Sequence, residues 1–215
     1  MMRSKMENFL AGGIYGLTAA EYSLGRSNTE VVDLLIAAGI KVIQYREKYK
    51  KAGAMFEECR YIRERTRLAG VTFIVNDFVD LALAAGADGV HLGQEDLPPQ
   101  EVRKLVGNDM LIGLSTHSPE QADAAAKLDI DYIGVGPIFP TQTKTDVCAA
   151  VGFAYLDYVV HQSKLPFVAI GGIKEDNVLS VSHRGARMIA MVTEIVGAAD
   201  IVSKVAQIRR NLGNH

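Results

Sequence analysis

The chain has 215 residues, 48% of them hydrophobic, with a formal net charge of -2 and two cysteines. That length and apolar content suffice for one buried core, and the near-neutral balance gives no basic field to attract nucleic acid. Cys59 and Cys148 are too few for a disulfide framework, and neither stands at metal-ligand spacing from another Cys or His, so a reduced cytoplasmic setting is expected. The opening MMRSKMENFLAGG holds no apolar stretch of signal-peptide length, and no later run approaches the length of a membrane span.

In chain order, strand patterns fall at 13–17, 41–46, 72–75, 89–92, 111–114, 132–135, 167–170 and 188–192. Between and after them, helical spacing covers 29–38, 52–68, 79–85, 99–106, 119–127, 152–162, 175–183 and 199–212. Glycine follows several of the helical runs, as at Gly39, Gly70, Gly86 and Gly185, where a left-handed C-terminal cap calls for it. Eight strand–helix repeats predict a (β/α)8 TIM barrel, an α/β fold, spanning residues 1–215 as one domain with a short N-terminal extension of about residues 1–12. An open doubly wound sheet would give the same alternation. It would gather its site at one switch point, however, and here polar clusters follow most of the strands.

Those clusters are Gln44-Tyr45-Arg46-Glu47-Lys48, Asn76-Asp77, Gly93-Gln94-Glu95-Asp96, Ser115-Thr116-His117-Ser118, Thr141-Gln142-Thr143-Lys144 and Gly171-Gly172. A barrel places all of them around one rim. In the second strand Val42, Gln44 and Arg46 share one direction, so a Gln and an Arg point inward near the rim and Lys48 follows them. Either an anionic ligand or an internal ion pair with a rim acid such as Asp77 satisfies these cations. Glu47, of opposite parity to Arg46, reads more readily as a structural partner.

Asp77 and Asp96 follow neighbouring strands, roughly 5 Å apart across the hydrogen-bonding direction, so both carboxylates can face one point. They suit Mg²⁺ completed by water and phosphate oxygens, or an acid/base pair of unequal pKa. Thr141, Gln142, Thr143 and Lys144 lie in the longest aperiodic run, a loop able to wrap an anion. Gly171-Gly172 after strand seven and Val192-Thr193 after strand eight stand where barrels build phosphate sites. His91 lies on the inward parity of strand four, and His117 can shape the site or act in it. There is no hydrolase elbow, zinc spacing, dinucleotide fingerprint or P-loop.

The segments QYREK (44–48), VNDFVDLAL (75–83), GVHLGQEDL (89–97), GLSTHS (113–118), GPIFPTQTKTD (136–146) and AIGGI (169–173) resemble, in order, the motifs of the thiamin-phosphate synthase family, a (β/α)8 barrel family. The resemblance implies condensation of 4-amino-5-hydroxymethyl-2-methylpyrimidine diphosphate with 4-methyl-5-(2-phosphoethyl)thiazole, giving thiamin phosphate and pyrophosphate by a dissociative, Mg²⁺-assisted route. It implies that Gln44, Arg46, Lys48, Asn76, Ser115 and Lys144 hold the pyrimidine diphosphate, with Tyr45 and Glu47 counted in the same substrate-binding run. Arg46, Lys48, Ser115 and Lys144 form the catalytic set, Asp77 and Asp96 bind Mg²⁺, and Thr141, Gln142, Thr143, Gly172, Val192 and Thr193 hold the thiazole phosphate.

One departure from the family's pattern stands after strand eight. A serine followed by a small residue is usual there, and this chain has Thr193-Glu194, with Glu194 expected to point away from the phosphate. The alternatives are a thiazole tautomerase of the same fold, which uses a histidine near the position of His117, and a non-catalytic barrel that binds a phosphorylated ligand. Neither nucleic acid nor membrane is an expected partner. Oligomeric state is left open, with a homodimer as one option.

Overall fold

The structure is a computed structural model, and it describes residues 2–141 and 149–213. Eight parallel strands close into a barrel in sequence order: β1 (Gly13–Leu17), β2 (Val42–Tyr45), β3 (Thr72–Asn76), β4 (Gly89–Leu92), β5 (Leu111–Thr116), β6 (Tyr132–Val135), β7 (Phe167–Ile170) and β8 (Met188–Ala190). The helices are α1 (Met2–Leu10), α2 (Asn28–Ala37), α3 (Ala52–Ala69), α4 (Val79–Ala85), α5 (Pro99–Val106), α6 (Pro119–Ala125), α7 (Gly152–Gln162), α8 (Val178–Ser182), α9 (Val192–Val196) and α10 (Ile201–Gly213). No helix among the described residues is long and apolar enough to cross a membrane.

Strand parity divides the apolar residues into two cores. Outward residues such as Ile43, Phe73, Val90, Ile112, Ile133 and Ile189 pack against the helices. Inward residues, among them Tyr15, Leu17, Val42, Ile74, Leu111, Tyr132, Val168 and Met188, fill the barrel. The helix ends follow local chemistry. Ser27 and Glu30 form a reciprocal capping box at the start of α2, and Gly70 and Gly86 end α3 and α4 in the left-handed conformation expected of them.

Three segments differ from the sequence reading. The N-terminal extension is a helix, and it covers the N-terminal mouth of the barrel. Phe9 is buried, with its ring 4.5 Å from that of Tyr132 and 6.3 Å from that of Tyr15. Asn8 Nδ2 donates to Gly70 O at 2.9 Å, tying the helix to the start of β3. α8 begins at Val178 rather than 175, because Asn177 folds residues 172–177 into a turn by accepting from Lys174 N (2.8 Å) and donating to Gly172 O (3.1 Å). β8 stops at Ala190, and Val192 opens the short helix α9 where a strand end was expected.

Candidate active site at the C-terminal rim

β2 delivers the first cluster. Gln44 and Arg46 point inward, buried, as parity requires. The backbone of Arg46 is held by a reciprocal pair, its N–H donating to Thr18 Oγ1 (2.8 Å) and the Thr18 hydroxyl donating back to Arg46 O (3.1 Å). Among the described residues its guanidinium has one distant ionic contact, Glu21 Oε1 at 3.7 Å, and its buried Nε has no hydrogen-bond partner. Such a cation is one that an anionic partner would stabilise.

Tyr45 does not join this group. It points outward, is 1% exposed, and its hydroxyl donates to Glu58 Oε2 at 2.7 Å among the helices, so its side chain is scaffold. Glu47 is likewise committed to structure. Its carboxylate accepts from the N–H groups of Lys48 (2.9 Å) and Tyr49 (3.0 Å) and from Asn28 Nδ2 (3.0 Å), and pairs with Lys50 at 3.5 Å. Burial pushes this carboxyl up, but the Tyr49, Asn28 and Lys48 donors and the Lys50 charge outweigh it, holding it below the usual range.

β3 and β4 deliver the acids. Asn76 is buried at the end of β3, paired in register with His91. The next residue, Asp77, has φ +62° and donates its N–H to His91 O at 2.8 Å. A non-glycine residue held in that region stores about 1–3 kcal/mol of strain, spent here in turning a carboxylate over the barrel mouth. Asp77 pairs with Lys48. Burial pushes its carboxyl above the usual carboxylate value, Lys48 pulls it back, and the adjacent Asp96 carboxylate pushes it up again. Asp96 is fixed by Gly93 N–H at 2.6 Å. Asp77 and Asp96 therefore meet, and either a proton or a cation between them relieves their repulsion.

β5 and β6 complete the polar floor. Ser115 Oγ lies 3.0 Å from His91 Nε2, and Gln94 Nε2 donates to Ser115 O at 2.5 Å, linking the loop that carries Asp96 to β5. His91 is the hydrogen-bonded interior residue its parity suggests, with Nδ1 3.0 Å from Tyr132 OH. His117 Nδ1 lies 2.5 Å from Gly136 O, at the exits of β5 and β6. Tyr15 and Tyr132, absent from the sequence-based candidates, bring polar atoms into the interior. Their signal was indirect: aromatic residues on inward parity near Gly113, where a Cβ would lie 2.2 Å from Tyr132 Cζ.

The far side of the rim is built differently. Gly171 and Gly172 have φ +99° and +63°, and a Cβ there would lie 2.4 Å from Pro137 Cα and 2.7 Å from Phe139 Cβ respectively. The glycine pair is thus required by close passage of the chain after β6. Thr141 is half-buried, while Gln142, Thr143 and Lys144 lie outside the described residues. Val192 and Thr193 open α9, and Glu194 turns to Lys204 (3.3 Å), which also pairs with Glu175 (2.9 Å).

The sequence profile described as Thiamine monophosphate synthase matches residues 14–195. The chain belongs to that family. Its transferase relatives include the thiamine-phosphate synthase of Pelotomaculum thermopropionicum, 65% identical over 207 residues (96% of this chain, 95% of the relative), and that of Lawsonia intracellularis, 49% identical over 201 residues (94% and 93%). Among solved structures, thiamine phosphate pyrophosphorylase from Pyrococcus furiosus superimposes with a TM-score of 0.87 at 33% identity, covering 97% of this chain and 98% of that one. The family's barrel is the barrel found here.

Proposed function

We propose that this transferase is a thiamine-phosphate synthase that joins 4-amino-5-hydroxymethyl-2-methylpyrimidine diphosphate to 4-methyl-5-(2-phosphoethyl)thiazole, releasing pyrophosphate, and that it works in the cytoplasm as one barrel domain with a helical N-terminal extension. The observation that carries the reading is the sector formed by Arg46, Lys48, Asp77 and Asp96: an under-compensated buried guanidinium beside two facing carboxylates and an ammonium. A tautomerase has no diphosphate to expel, and a binding barrel has no need of paired acids held over the mouth at the cost of strain.

Among the described residues no three His, Cys, Asp or Glu side chains gather as a metal cluster. Mg²⁺ does not require one, since it takes one or two carboxylates with the remaining positions filled by water and phosphate oxygens. The donor set fits. Asp77 and Asp96 would hold the ion, which when bound would neutralise charge on the diphosphate.

The residues supply the remainder. Arg46, Lys48 and, from the loop after β6, Lys144 place fixed positive charge where leaving-group charge grows. Gln44, Asn76 and Ser115 orient the pyrimidine end. Thr141, Gln142, Thr143, Gly172, Val192 and Thr193 are assigned to the thiazole phosphate, holding the thiazole nitrogen near the carbon that loses pyrophosphate. No protein nucleophile is called for, because the bond to pyrophosphate breaks as its charge is stabilised and the thiazole nitrogen supplies the new bond. Mass spectrometry of a reaction containing both substrates tests this: thiamine phosphate is the expected product, and turnover of either substrate alone, without the condensed product, would contradict it.

A further inference from the structure

Below the rim, a line of hydrogen bonds crosses the barrel interior. Gln44 Nε2 donates to Tyr15 OH at 3.1 Å, Tyr15 OH lies 3.0 Å from Tyr132 OH, Tyr132 OH lies 3.0 Å from His91 Nδ1, and His91 Nε2 lies 3.0 Å from Ser115 Oγ. Five strands contribute, and the line begins and ends at residues assigned above to the pyrimidine. Space for it is made by missing side chains. A Cβ at Gly113 would lie 2.5 Å from His91 Nδ1, and one at Gly134 would lie 3.3 Å from His91 Cε1.

Proton counting gives the line a direction. Tyr15 and Tyr132 are 2% and 0% exposed, and burial pushes both phenols above their ordinary pKa, so both stay protonated. Tyr15 accepts from Gln44, so its own proton must go to Tyr132, the Tyr132 proton to His91 Nδ1, and the neutral imidazole then carries its hydrogen on Nε2, directed at Ser115. With the Gln44 amide as placed, any other order strands a buried O–H without an acceptor, at a cost of about 1–3 kcal/mol.

We infer that Tyr15, Tyr132 and His91 are positioning residues that fix the hydrogen-bond polarity of the pocket: Gln44 presents its carbonyl oxygen as an acceptor, and Ser115 presents its O–H as a donor. The ligand this selects is a heteroaromatic ring with an N–H donor toward Gln44 and a ring-nitrogen acceptor toward Ser115. That match rests on the synthase reading. An aminopyrimidine satisfies it, whereas an oxo group in place of the amino group sets acceptor against acceptor at the Gln44 carbonyl and can bond Gln44 only by shifting to its second amide hydrogen. Sites built to bond one polar pattern reject its inverse strongly, because their own groups are left unpaired.

The test is Tyr15→Phe, which cuts the line and keeps the ring. Steady-state kinetics with the aminopyrimidine diphosphate and its 4-oxo counterpart should show kcat/KM for the amino substrate falling about 10-fold or more, with amino-over-oxo discrimination shrinking by a similar factor. The KM for the thiazole phosphate should stay within about twofold of wild type. Unchanged discrimination, whatever happens to stability, would overturn the inference. Tyr132→Phe serves the same purpose if Tyr15→Phe does not fold.

Nitrogen-15 NMR of the substrate-free wild-type protein, with His91 assigned through His91→Gln, gives a readout independent of activity. A neutral Nε2–H tautomer is expected. An Nδ1–H tautomer or an imidazolium at neutral pH would contradict the polarity even if the synthase reaction proceeds. A wild-type protein with the expected tautomer and no condensation would instead contradict the proposed function alone.

Discussion

The two halves of the rim carry similar numbers of polar and glycine residues, but the fold accounts for them very differently. Around β7 and β8, among the described residues, the glycine pair has a packing explanation, since Gly171 and Gly172 admit residues 137–140, and Glu194 is paired with Lys204. Around β2, β3 and β4, packing accounts for Tyr45 and Glu47 but not for Arg46, Asp77 and Asp96. Arg46 Nε is buried without a partner among the described residues, Asp77 is held at positive φ, and two carboxylates confront one another. Residues kept at a cost that the scaffold does not recover are where a ligand must supply the balance.

The largest expected effect breaks the costly half. Asp77→Asn or Asp96→Asn should lower kcat/KM by at least about 10²-fold, ~3 kcal/mol of transition-state stabilisation, without lowering the thermal midpoint by more than about 3 °C, or ~1 kcal/mol for a chain of this size. A matching fall in stability would move the acids to the scaffold. Gly171→Ala should do the reverse, costing about 2–4 kcal/mol in denaturant unfolding through overpacking and positive φ. An unchanged unfolding midpoint would show that the chain after β6 is not packed against the glycine.

Smaller effects sharpen the line between the halves. Arg46→Lys keeps the charge but loses the guanidinium fork, and kcat/KM for the pyrimidine diphosphate should fall about 10-fold, with the thiazole KM unchanged. Glu47→Gln should cost about 1–2 kcal/mol at neutral pH through its lost charge-assisted hydrogen bonds. Because the folded state depresses the Glu47 pKa, its contribution is present above the ordinary carboxylate value and lost as pH falls through the depressed one. Wild type and Glu47→Gln should therefore converge in stability in acid, and a gap that persists there would point to packing instead. Glu194→Ala should change the thiazole KM less than about threefold, below ~1 kcal/mol, and a larger fall in KM would return that carboxylate to the phosphate site.

Much of this was legible in the sequence because it depends on local rules. Strand alternation and glycine caps located the eight repeats, and the placement of Asp77 and Asp96 after neighbouring strands brought them together. Parity also shows why Tyr45 had no place beside Gln44 and Arg46, although it sits between them in the chain. What stayed hidden depends on tertiary context. The run Met191-Val192-Thr193 is as β-branched as a strand, yet the chain turns into α9 there. Met2–Leu10 is polar through most of its length, and only the docking of Phe9 on Tyr132 reveals its helix as a cover. Tyr15 and Tyr132 read as apolar strand residues, because hydrogen bonds between distant strands leave no mark on spacing.

The most direct test of the central claim is pyrophosphate release by the purified protein, followed with both substrates, with each alone, and with both in EDTA. Release that requires both substrates, stops in EDTA and returns with Mg²⁺ is the predicted result. Undiminished release in EDTA, or none with both substrates and Mg²⁺ present, would contradict the account of the β2–β4 sector as the place where the diphosphate is held and from which it leaves as pyrophosphate.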